Sequence, residues 1–216
     1  MRSIFIYIAV LFFSFSFSQK KELRQIKRLI DEKFFQEAES TLESNKDFLL
    51  SGDSKTDAQY YYYATKIYTE IKSFKLAKNS LEELMSINPS YYNAEMKLDY
   101  KNLEEILVVA LVNAAVADNS SKKWMEGVDK LLLAYEMDKD NNIDYLYFAA
   151  SGAVNAENFD LALEYYLQLK EKNYTGIKDE YFITNVESGV EEKVTETEYK
   201  IYPVSYTHLR AHETPV

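Results

Sequence analysis

The chain has 216 residues and carries 25 Lys and Arg against 35 Asp and Glu, a formal net charge of −10. It holds five Gly, three Pro and no Cys, which excludes disulfides, thiolate zinc sites, cysteine nucleophiles and a lipid-modified N-terminal cysteine. So few turn-formers disfavour a β-sandwich or barrel and favour long helices, and an acidic chain repels a phosphate backbone, which argues against nucleic acid as a partner.

Residues 1–18 have the order of a secretory signal peptide. Arg2 is followed by an apolar run from Ile4 to Phe13, then by small Ser16 and Ser18 ahead of Gln19. The run is short for a bilayer span of about 20 residues, so the expectation is cleavage before Gln19 and export. With no Cys to carry a lipid, the mature protein is expected in the periplasm or outside the cell, without stable membrane insertion.

Residues 19–176 read as helical hairpins in four copies. The first places Ile26 and Leu29 before Phe35, Ala38 and Leu42, with Gln25 where a small residue is wanted. The second is the clearest: Tyr61, Ala64, Thr65 and Tyr68, then Phe74, Ala77, Leu81, Leu84 and a terminating Pro89. Small Ala64 and Thr65 let a second helix approach, Ala77 is the small residue opposite, and the large residues fill the remaining groove. The third copy has Leu111, Ala114 and Ala115, then Trp124, Gly127, Leu131 and Ala134. The fourth has Leu146, Ala149, Ala150 and Ala153, then Phe159, Ala162, Tyr166 and Leu169. The small anchors Ala38, Ala77, Gly127 and Ala162 are 39, 50 and 35 positions apart. The long middle interval predicts a lengthened or extra helix around Tyr91 to Leu107.

This spacing is similar to the tetratricopeptide repeat (TPR), a pair of antiparallel helices of about 34 residues. The resemblance implies an all-α, right-handed solenoid and a protein of the exported bacterial TPR type. It also implies that the inner, concave face holds a protein or peptide partner. In the repeat frame Tyr61 is core, whereas Gln59, Tyr62 and Lys66 point to the inner surface, with Tyr147, Ser151 and Asn155 as their equivalents in the fourth copy. Tyrosine suits recognition because it is rigid, amphipathic and able to hydrogen-bond. The expected function is therefore a non-enzymatic scaffold for protein–protein or peptide binding in the cell envelope. The alternative is an exported binding module for a small solute such as an oligosaccharide or peptide.

No catalytic residues, cofactor or metal are expected. The start of a calcium loop is suggested by Asp138, Asp140 and Asn142, but Ile143 stands at the place of the required Gly and Ala149 at that of the closing carboxylate. The segment is read as an inter-repeat turn. Trp124 is read as core packing.

From Ile177 the period changes. Tyr181 to Glu187 and Val190 to Val194 are short β-capable runs around Ser188 and Gly189, which predicts a small C-terminal β-hairpin. Residues 195–203 are expected to dangle, closing a segment that runs from 177 to 203. Beyond it, residues 204–214 resemble no expected folded element and look like a translated sequencing-library adapter, eleven residues in register, so the 204–216 tail is expected to be non-native. His208 and His212, the chain's two histidines, both lie there, and their four-residue spacing is not read as a metal pair.

Overall fold

The computed structural model describes residues 18–185, 189–195, 199, 206–208 and 212–215. The expected signal peptide lies outside them except for Ser18, and so does the expected dangling segment except for Thr195 and Tyr199. The architecture is mostly helical with a small C-terminal antiparallel sheet. The helices are α1 (18–31), α2 (Phe35–Ser44), α3 (Lys46–Leu49), α4 (Ser54–Glu70), α5 (Phe74–Ser86), α6 (Ala94–Ser120), α7 (Trp124–Met137), α8 (Ile143–Asn155) and α9 (Phe159–Glu171), with a 3-10 turn at Pro89–Tyr91 between α5 and α6. The chain divides into two compact units between Ala162 and Leu163, inside α9.

The turns inside the hairpins repeat one backbone solution. Lys33, Lys72, Lys122 and Glu157 all have left-handed backbone, with φ of 63°, 62°, 59° and 58°. Each N–H donates to the carbonyl three residues back, and the following N–H donates five residues back: Lys72 to Thr69 and Ser73 to Tyr68, for example, or Glu157 to Val154 and Asn158 to Ala153. This is the Schellman termination, which satisfies two carbonyls that a helix end leaves without partners. The next residue then starts the following helix with matching dihedrals, φ −87° and ψ 66° at Phe34, −83° and 59° at Ser73, −87° and 62° at Lys123. Four residues further, the N–H of each small anchor (Ala38, Ala77, Gly127 and Ala162) donates to that starting residue's carbonyl. All four anchors are buried. The spacing read from the sequence thus corresponds to one recurrent turn.

Glycine is the usual residue at the left-handed cap, because a Cβ there crowds the following carbonyl. This chain uses exposed Lys at three of these positions. Replacing Lys33, Lys72 and Lys122 by Gly together is expected to stabilise the fold by about 1–2 kcal/mol, the relief of left-handed strain less the entropy of a more flexible unfolded chain. Urea unfolding measures it, and a loss of stability would contradict this view of the turns.

In the first unit α4 packs on α2, α3, α5, α6 and the 3-10 turn, while α7 packs on α5, α6 and α8. Ala64, Ala77, Leu84, Leu107, Leu111 and Leu146 are all inaccessible to solvent. The long middle interval becomes a single lengthened helix, the 27-residue α6. Asn93 caps it by accepting the Met96 N–H at 2.9 Å, and Met96, Leu103 and Leu107 seat its first half in the core. Close approach explains one glycine: a Cβ at Gly152 would stand 2.8 Å from Val128 Cγ2, whereas one at Gly127 would meet the movable end of the Asn119 side chain. Val128 is β-branched and fully buried, so it has little room to yield. Gly152→Leu is expected to destabilise by about 1–3 kcal/mol; an unchanged urea midpoint would show that α7 and α8 are not packed this closely.

The fourth copy departs from its expected pattern. Leu146, Ala149, Ala150, Ala153, Ala162 and Leu169 are buried as predicted, but Phe159 is 64 % and Tyr166 39 % exposed. Tyr165 takes the buried position instead, one step around the helix from the residue that the frame selected.

In the second unit, β1 (Ile177–Asn185) and β2 (Glu191–Val194) form the predicted hairpin, paired antiparallel from Tyr181 opposite Val194 to Thr184 opposite Glu191. Gly189, with φ 66°, lies in the connection. Two further short strands, β3 (Tyr206–His208) and β4 (His212–Pro215), pair antiparallel with β1. Ladder pairing uses backbone groups that almost any residue carries, which is why side-chain patterning did not indicate it.

Candidate functional site

The tyrosine run Tyr60–Tyr63 sits on α4, whose partners leave it little free surface. Tyr60, Tyr62 and Tyr63 are buried, whereas Tyr61 is half-buried. Tyr61 packs against the core as expected, but the expected place of Tyr62 on an open inner surface is corrected: Tyr62 is only 1 % exposed. The cause is the extension of α6. Its first half lies over α4, and Asp99 there receives the Tyr62 hydroxyl hydrogen bond at 2.7 Å. Lys66, one turn on, donates to both Asp99 Oδ2 and the Tyr62 hydroxyl at 3.2 Å, and its ammonium stands 5.0 Å from the Tyr62 ring centroid.

The electrostatics follow from this closure. The Tyr62 hydrogen bond holds the Asp99 carboxyl below its ordinary value, helped by Lys66 and opposed by burial. Burial, with the Asp99 bond and charge, pushes the Tyr62 hydroxyl far above its ordinary value. Tyr62 and Lys66 are thus brought together as an α4–α6 clasp, and the Tyr62 ring is not offered to a ligand.

Gln59 is half-buried and opens elsewhere, into a partly enclosed cavity of about 420 Å³ between α1 and the start of α4. Its rim carries Lys20, Arg24 and Lys27 from α1 and Lys55 from α4, with a single carboxylate, Asp53. Its floor includes buried Leu23 and Tyr63. Asp53 caps α4, its carboxylate accepting the Lys55 and Thr56 N–H groups at 3.1 and 2.9 Å. Lys27 is engaged with Glu95 of α6 at 2.9 Å and with Asp31 at 3.4 Å. Burial alone would lower the Lys27 pKa, but Glu95 and Asp31 overcome it and leave it raised. Gln19, inaccessible at 4 %, fastens this end of α1 by donating to the Phe48 carbonyl at 2.7 Å.

The other expected triplet lies on α8. Tyr147 and Ser151 are half-buried and Asn155 is exposed; at four-residue intervals they share one helix face. The Ser151 hydroxyl donates to the Tyr147 carbonyl at 3.1 Å, and the Tyr147 ring meets Phe148 edge-on at 5.7 Å. Separately, α6 leaves Leu98, Ile106, Val109 and Val116 exposed, which a 3.6-residue period gathers within about a quarter-turn.

Asp138 serves the turn that the sequence implied. Its carboxylate accepts the Asp140 and Asn141 N–H groups at 3.2 and 3.1 Å and the Asn141 amide at 2.6 Å, which lowers its pKa. Among the described residues no three carboxylate or histidine groups converge to hold a metal, and no helix is long and apolar enough to cross a membrane.

Comparison with known proteins finds no matching family model, curated relative or solved structure. The site therefore rests on its own geometry. Sequence reasoning missed Asp99, Glu95 and the α1 cations. The last had a legible signal: Lys20, Arg24 and Lys27 recur at i, i+4 and i+7, one face of a helix.

Proposed function

We propose that the chain is a non-enzymatic scaffold of TPR-like hairpins, arranged as a right-handed solenoid, that binds a protein or peptide partner in the bacterial cell envelope. The observation that carries this reading is the recurrent turn: four helix terminations with one hydrogen-bond pattern, each followed at a fixed offset by a small buried anchor. A repeated hairpin presents successive helices side by side and so builds an extended surface for a partner. The α8 face of Tyr147, Ser151 and Asn155, together with the exposed apolar stripe of α6, supplies aromatic, polar and apolar groups for it.

The test replaces Tyr147 and Asn155 by Ala in the full chain and measures retention of envelope proteins from the source cells. The expected result is at least a tenfold loss of a saturable partner, with the thermal midpoint unchanged. Undiminished capture would remove α8 from the binding surface. Capture no better than that by an unrelated acidic helical protein would sink the scaffold reading itself.

A further inference from the structure

The cavity between α1 and the start of α4 is anomalous in charge. A chain of net charge −10 here gathers four cations around one carboxylate. Two of the five groups are already committed: Asp53 caps α4, and Lys27 is bridged to Glu95 and Asp31. Among the described residues no carboxylate pairs with Lys20, Arg24 or Lys55 within salt-bridge distance. Three cations thus line one space with no carboxylate of the described residues in ion-pair distance of them and only Asp53 to offset their charge, beside buried Leu23 and Tyr63.

We infer that this cavity binds an extended acidic peptide segment, with Lys20, Arg24 and Lys55 meeting its carboxylates. This deepens the scaffold reading and rests on it. The volume is within the usual range of ligand pockets and admits a short segment, not a folded domain. Spacing favours an extended chain. Lys20 and Arg24 are separated by about 6 Å along the helix axis at the helical rise per residue. In an extended strand, alternate side chains lie on one side at about 6.6–6.8 Å. A run with an acid at every second residue therefore places consecutive carboxylates opposite consecutive cations. Half-buried Gln59 carries both a donor and an acceptor, which matches the alternating N–H and C=O of such a backbone. Arg24 can take a carboxylate through two parallel hydrogen bonds. The net charge of −10 repels long polyanions, so the match is to a short, local acidic stretch.

The test is calorimetric titration of the full chain with acetyl-Glu-Ser-Glu-Ser-Glu-Ser-amide and with the isosteric Gln peptide. The Glu peptide is expected to bind at least about tenfold more tightly, and its affinity is expected to fall as salt rises through about 0.1 M, where the Debye length is about 10 Å. Lys20→Gln with Arg24→Gln should weaken binding at least about tenfold while leaving the thermal midpoint unchanged, because neither residue holds a structural ion pair. Equal affinity for the two peptides, or undiminished binding by the double variant, would overturn the assignment. Displacement of the peptide by equimolar inorganic phosphate would also overturn it, making the cavity a site for free oxyanions. The same double variant is carried through the envelope capture assay. If the Glu peptide fails on the parent chain while partner capture persists in both proteins, the cavity assignment alone falls; if both are lost for the parent chain, the scaffold reading falls as well.

Discussion

Tyr62→Ala is expected to lower the unfolding free energy by about 3–5 kcal/mol, the range for deleting a buried aromatic ring. The ring is 1 % exposed and fills the contact between α4 and the first half of α6. Its loss leaves a void that two helices tied elsewhere cannot readily collapse, and it removes the phenolic donor of Asp99. Tyr62→Phe keeps the volume and removes the donor alone, so about 1 kcal/mol is expected; Asp99 then retains Lys66 at 3.2 Å. Urea titrations at neutral pH followed by helix content measure both. A Tyr62→Ala protein within about 0.5 kcal/mol of the parent would show that the ring is not seated there, and the outward-facing role would regain its place.

The same pair carries a pH signature. Asp99 has a folded pKa below its ordinary 3.8, primarily through the Tyr62 hydroxyl. A lowered carboxyl pKa contributes stability that is present above the unfolded value and is lost as pH falls through the folded one. The stability difference between parent and Tyr62→Phe should therefore be constant near neutrality and shrink once pH drops below about 4. A difference independent of pH down to acid unfolding would mean that the hydroxyl contributes without engaging the carboxylate.

These residues also show how far the sequence could be read. The small anchors were legible because a helix–helix approach leaves no choice of side chain: Ala38, Ala77, Gly127 and Ala162 all follow a turn and all are buried. The turns themselves were not, because Lys33, Lys72, Lys122 and Glu157 occupy a position where Gly is the usual signal. A repeat frame that treats every hairpin as having equal length puts Tyr62 on the inner surface. The excess residues before Leu107 are helix-forming, but a single sequence does not say where the added turns lie. They lie on α4, and Asp99 is among them. Phe159 and Tyr166 show a smaller error of the same type. An aromatic at the right spacing marks Tyr166 as core, while the neighbouring Tyr165 is the buried one. The cavity required contact between α1 and α4, which follows from packing rather than from either helix alone, although the i, i+4, i+7 cations of α1 were visible.

At alkaline pH the fold is expected to be lost cooperatively, beginning near pH 10. Tyr60, Tyr62, Tyr63 and Tyr68 all lie on α4, and each hydroxyl is pushed above its ordinary 10.0, that of Tyr63 to about 12 and the others further. Burial is the largest cause in every case. Neighbouring carboxylates add to it: Asp99 bonds Tyr62, Glu43 accepts from Tyr68 and faces Tyr60, and Glu95 faces Tyr63. A group whose folded pKa is raised contributes stability that is complete below the unfolded value and is lost as pH rises through the folded one. Between those limits each hydroxyl contributes a slope of about 1.36 kcal/mol per pH unit. Four acting together approach about 5 kcal/mol per unit, so a typical stability of about 5–15 kcal/mol is exhausted within roughly one to three units. Simultaneous phenolate absorbance and circular dichroism would show the phenolates of these four tyrosines appearing only as helix content is lost. Tyr60→Phe with Tyr63→Phe removes two of the four linked hydroxyls and keeps their rings, so its alkaline midpoint should move upward. Ionisation of all tyrosines in one smooth phase near pH 10, with helix content unchanged, would contradict the burial of this run and with it the packing of α4 against α6.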